Sequence, residues 1–137
     1  MRLRGVSGAG GPPGAYPRRQ MLHKDRTWAV KDVHGPQELA ELLTRYTWTG
    51  CTGFRHQGYL YLNDSFAGGG AQEYAVVKES TGQQVESITF SWCSLEKALE
   101  LIRRISAGEF DDQAWDPGIS LAAQIQDPGN HRCHLCA

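Results

Sequence analysis

Residues 87–107 change period within a few positions, and that change constrains the fold more than any other feature of the chain. Ser87, Ile88, Thr89, Phe90, Ser91 and Trp92 alternate polar and apolar, the two-residue period of a half-buried strand, with Ile88, Phe90 and Trp92 directed inward. Ser94 follows. Its hydroxyl can accept from the free N–H groups of a first helical turn, and Glu96 suits the positive end of the dipole. From there Leu95, Ala98, Leu99, Ile102 and Ile105 recur at helical spacing, Arg103 and Arg104 fall in the last turn, and Gly108 is placed to end it. A strand over 84–92 feeding an amphipathic helix over 94–107 must lay that helix back on its own sheet.

The segments before it fit the same plan. Trp28 to Val33 reads as a short strand or an extended arm. Pro36 opens a helix at the first position, where a missing N–H costs nothing, and Leu39, Leu42, Leu43 and Tyr46 give it an apolar stripe that ends near Tyr46 or Trp48. Cys51–Gln57 and Tyr59–Leu62 read as strands turned at Gly58, Glu73–Glu79 as another, and Ser80–Thr81–Gly82–Gln83 as a tight turn. The predicted fold is α+β, a small antiparallel sheet of three to four strands with two helices packed on one face. It occupies residues 27–110. Residues 1–26 form a Gly/Pro/Arg leader expected to be disordered, with Met21 an alternative start. Residues 111–137 form an irregular tail, with a short helix expected within 119–125.

Charge narrows the partners. The chain holds 14 Lys and Arg against 15 Asp and Glu, but the first twenty residues carry four arginines and no acid. The body is therefore acidic, which argues against nucleic acid as a partner of the folded part, since that affinity rests on neutralising phosphates. No run approaches the eighteen apolar residues of a membrane helix, and no secretory leader is visible. Four cysteines in 137 residues are too few for a disulfide framework, so reduced thiols in a cytoplasmic protein are expected.

Three groupings of residues carry chemistry. The terminus His131-Arg132-Cys133-His134-Leu135-Cys136-Ala137 sets two thiols at the C-x-x-C spacing that lets both reach one tetrahedral ion, with His131 or His134 as a third ligand and zinc as the cofactor. Asp64 and Glu73 flank Gly68-Gly69-Gly70, and two carboxylates meeting there would hold a divalent ion or share a proton in a hydrolytic or metal-dependent enzyme. The glycines themselves lack the Lys-Ser/Thr and the following helix of a phosphate loop. Cys51, Cys93 and His56 offer a thiol–imidazole pair only if the sheet register brings them together; buried apolar thiols are the commoner fate.

The last grouping is a surface. Ser87, Thr89 and Ser91 line the side of their strand away from the helices, and Arg55, Tyr59 and Tyr61 are expected on neighbouring strands. This uncovered face, or the sheet edge, is the expected docking site for a protein partner, including a second copy of the chain. The sequence therefore reads as a small non-enzymatic binding module, with a zinc-binding module built on the tail and an enzyme built on Asp64 and Glu73 as the alternatives.

Overall fold

The computed structural model describes residues 22–45, 51–65 and 72–130. Their sheet is larger than expected: six strands, not three to four, and mixed rather than antiparallel. In chain order they are β1 (Trp28–Asp32), β2 (Thr52–His56), β3 (Tyr59–Asn63), β4 (Tyr74–Lys78), β5 (Gln83–Ile88) and β6 (Ile125–Gln126), arranged β5-β4-β3-β2-β1-β6. Strands β2 to β5 form the antiparallel meander read from the alternation. The two additional strands are β1 and β6. Strand β1 lies parallel to β2, reached through helix α1 (Pro36–Thr44), and β6 lies parallel to β1. Both pairings join segments far apart in the chain, and β6 is two residues long, so no local periodicity reports either.

Helix α2 (Leu95–Ser106) begins as the sequence implies. Ser94 caps it by accepting from the Lys97 N–H at 3.0 Å, and Gly108 ends it at a φ of 81°. The strand before it is shorter than its alternation suggests. It stops at Ile88, and Phe90–Trp92 forms a 3-10 turn. Side chains two residues apart diverge on such a turn, so Phe90 is buried while Trp92 is 79% exposed. Trp92, expected to point inward, is on the surface.

The sheet is covered on both sides. Helices α1 and α2 pack on one face, where Leu39, Leu43, Ala98, Ile102 and Ile105 meet Phe54, Tyr61, Tyr74, Val76 and Phe90. The opposite face, expected to be open, carries a second core of Leu22, Trp28, Val30, Leu60, Leu62, Ala75 and Val77, closed by Ile119, Leu121 and Ile125. Leu22 and Arg26, assigned by composition to the leader, are both buried. Residues past 110 also join the domain: Trp115 bridges Gln84 through paired backbone bonds of 2.8 and 2.9 Å, and α3 (Leu121–Gln124) leads into β6.

One close approach and one tight turn set the register. A Cβ on Gly53 would meet Leu62 Cδ2 and Val30 Cγ2 at 2.9 Å each, so any larger residue would push those side chains aside where β2 passes between its neighbours. Gln57 and Gly58 both have positive φ, the pattern of the tight hairpin turn joining β2 to β3.

Candidate functional site

Among the described residues, the buried polar side chains Arg26, Asn63, Ser65 and Gln72 gather at one end of the sheet, where β3 ends and β4 begins. The Asn63 carbonyl accepts from Trp28 Nε1 at 2.7 Å and from Arg26 Nη1 at 3.2 Å, and Arg26 Nη1 also reaches the Ser65 carbonyl at 3.0 Å. The Asn63 side chain accepts from the Ser65 N–H and donates to Gln72, whose own N–H donates to Ser91 Oγ at 3.2 Å. Ser65 Oγ accepts from the Glu73 N–H at 2.7 Å, and Ser87 Oγ donates to the Glu73 carboxylate. The chain on either side of residues 66–71 is thus fastened by side chains as well as by the ladder. Gly68-Gly69-Gly70 lies outside the described residues.

Asp64 and Glu73 are joined by backbone, the Asp64 N–H donating to the Glu73 carbonyl at 3.0 Å, but their carboxylates engage different partners. Asp64 Oδ1 lies 2.7 Å from His23 Nδ1 and 3.8 Å from Arg26 Nη1. Burial pushes the Asp64 carboxyl above its ordinary value, against the pull of His23 and Arg26. Glu73 is directed to Ser87. A shared proton or a bidentate metal grip between the two acids has no counterpart in these contacts. His23, which composition places in the leader, partners Asp64 with no sequence signal to announce it.

The expected recognition residues are dispersed. Tyr59 and Tyr61 are buried on the helix-covered face. The Tyr59 hydroxyl donates to Asp111 at 2.8 Å, Lys78 Nζ reaches the same carboxylate at 2.7 Å, and burial followed by Asp111 pushes the phenol up to about 12. The Tyr61 hydroxyl is enclosed and has no hydrogen-bond partner among the described residues. Arg55 is on the other face, gripping Glu79 through Nε and Nη2 at 3.0 Å and Asp32 through Nη1 at 3.2 Å; the Glu79 hydrogen bonds raise its pKa first. Ser87 and Ser91 are spent on Glu73 and Gln72. Thr89, half-buried, starts the 3-10 turn by accepting from the Trp92 N–H at 3.2 Å. These residues hold the domain together and make no common surface.

The thiols are not where a catalytic pair would put them. Cys51 and His56 stand at opposite ends of β2, about 16 Å apart for five residues of strand. Cys51 is buried and disulfide-bonded, against the expectation of reduced thiols, and this removes the reason for assigning a reducing compartment. Cys93 is a free, half-buried thiol whose pKa burial raises, the opposite of nucleophilic activation. Among the described residues no three His, Cys, Asp or Glu side chains form a metal-binding group, and no helix is long and apolar enough to cross a membrane. His131, Cys133, His134 and Cys136 lie outside the described residues. The chain matches no family model, no curated protein and no solved structure.

With the polar groups accounted for, the exposed apolar ones stand out. Trp92 and Leu95 are the large hydrophobic side chains left exposed among the described residues, at 79% and 38%. They are three positions apart across the junction of the 3-10 turn and α2.

Proposed function

We propose that the protein is a non-enzymatic module that binds a protein partner through Trp92, with Leu95 beside it. The exposure of Trp92 carries this reading. Trp28 is fully buried, whereas Trp92 leaves most of an aromatic surface in water at a hydrophobic cost. Tryptophan is the residue that most often anchors a protein interface when a partner supplies a pocket.

The mounting supports the same reading. Cys93 N–H donates to the Phe90 carbonyl at 2.9 Å, Phe90 is locked in the core, and Ser94 caps α2 immediately afterwards. A ring presented on so fixed a backbone loses little freedom on docking, which is how a small surface gains affinity. Asp64, Glu73, Arg55 and Asp111 are each engaged by neighbouring side chains, which supports a binding role over a catalytic one.

Site-specific photocrosslinking tests the proposal. A benzoylphenylalanine at position 92 should give a discrete protein adduct that wild-type chain competes away and Trp92→Ala chain does not. The same probe at exposed Glu109 should give none. Adducts of twice the chain mass would identify a second copy as the partner. Equal labelling at both positions, or equal competition by the variant, overturns the reading.

A further inference from the structure

The outer face of α2 carries a pattern that suits a second copy of itself. Glu96, Glu100, Arg103 and Ala107 follow one another at steps of four, three and four residues, so they share one strip of the helix, and all are exposed. Leu95, 38% exposed, and half-buried Leu99 run along its flank, and Trp92 stands three residues ahead of Leu95. Acid comes first on this strip and base two turns later. None of Glu96, Glu100 and Arg103 forms an ion pair or side-chain hydrogen bond with another described residue, whereas the adjacent Arg104 is held by Glu109 at 2.8 Å.

An acid and a base seven residues apart can pair reciprocally when two copies of the helix run antiparallel. Turning one α2 end for end about a two-fold axis at the level of Leu99 and Glu100 sets Glu96 against the partner's Arg103 and Arg103 against the partner's Glu96. The same direction lays the positive end of each helix beside the negative end of the other. A parallel pairing would set each acid beside its own copy. Leu95 and Leu99 come to the seam, and Trp92 overhangs the end of the partner helix, where the residue is the small, exposed Ala107. Glu109, drawn toward Arg104 on the other side of α2, stays outside the seam.

We infer that the partner of the Trp92 surface is a second copy of this chain, docked through an antiparallel pairing of α2 with α2. The inference rests on the Trp92 reading and names its partner. One helix of 12 residues from each copy, about 18 Å long, together with its tryptophan makes a small interface. The dimer is therefore a reversible one that forms as concentration rises. Its specificity comes from the reciprocal Glu96–Arg103 pairs, and its affinity from the two tryptophans.

Sedimentation equilibrium of the full chain, from micromolar to near-millimolar concentration, tests the pairing. Wild type should pass from the mass of one chain toward that of two, and Trp92→Ala should weaken this by about tenfold or more. Glu96→Arg and Arg103→Glu should each weaken it by about tenfold or more, because each sets like charges opposite one another. All three positions are exposed, so the variants should keep the wild-type circular dichroism and melting temperature. Two recombinations decide the geometry: a mixture of the single reversals should form a heterodimer, and the double reversal Glu96→Arg/Arg103→Glu should self-associate as wild type does. A wild type that stays monomeric, a dimer indifferent to Trp92→Ala or to the single reversals, or recombinations that restore nothing would each overturn the inference. A photoprobe at position 92 that captures only a different protein would end it too, yet leave the Trp92 reading standing, so the two fail separately.

Discussion

Tyr61 shows how far a residue's role can depart from its appearance in the sequence. An aromatic hydroxyl on an alternating strand suggested a recognition group, yet the hydroxyl is sealed in the core without a partner, and burial drives its pKa far up. An unpaired buried hydroxyl costs roughly 1–3 kcal/mol. Tyr61→Phe should therefore leave stability unchanged or raise it by about 1 kcal/mol in urea denaturation; a loss above that would place a partner on the oxygen. His56 makes the complementary case. Burial lowers its pKa below 6.5, so the unfolded chain binds the proton more tightly. Its contribution is complete above pH 6.5 and is lost as pH falls toward the folded value. Wild type should weaken relative to His56→Gln between neutral pH and pH 5, read from denaturation midpoints at each pH.

Among the elements, those with a full period of their own were legible and those made by distant pairing were not. Ser94, the stripe Ala98-Ile102-Ile105 and Gly108 announce α2 because cap, face and stop are all local signals. Pro36 does the same for α1. Strand β6 has no such signal, and the turn at Phe90–Trp92 hides inside an alternation that continues past the end of its strand. Helix α2 forms where the cap and stripe predict, but Leu95, expected in its buried stripe, is 38% exposed. Ile102→Ala should cost roughly 2–5 kcal/mol, since the side chain is fully enclosed against the α1 side of the core, whereas Leu95→Ala should cost well under 1 kcal/mol. Urea unfolding of the two variants side by side checks the asymmetry; equal losses would mean Leu95 is packed after all.

For the molecule as a whole, the buried polar cluster was less readable than the fold because it is assembled by closure. His23 and Arg26 come from one segment and Asp64 from another, and they meet only once β1, β2 and β3 are in register. No spacing in the sequence encodes that. The same closure draws residues past 110 onto the sheet. A chain ending there would lose the Asp111 anchor of Tyr59 and Lys78, the Trp115 bridge to β5 and the residues that close the second core. Its melting temperature should fall by several degrees or more relative to a chain ending at residue 130, since each lost kilocalorie is worth about 4–8 °C in a domain this size. Equal melting would show that residues 111–130 rest on a domain already complete.

The pairing of β1 with β6 also governs when folding can finish. The second strand of that pair is made about a hundred residues after the first, so on the ribosome Trp28 and Val30 emerge and wait while the intervening strands and helices are still being synthesised. Helices α1 and α2 and the β2–β5 meander can organise on local contacts, but the face bearing Trp28 stays uncovered until Ile119, Leu121 and Ile125 clear the exit tunnel. Non-local closures of this kind are the slow ones, and they leave apolar surface open to chaperones and to aggregation in the interval.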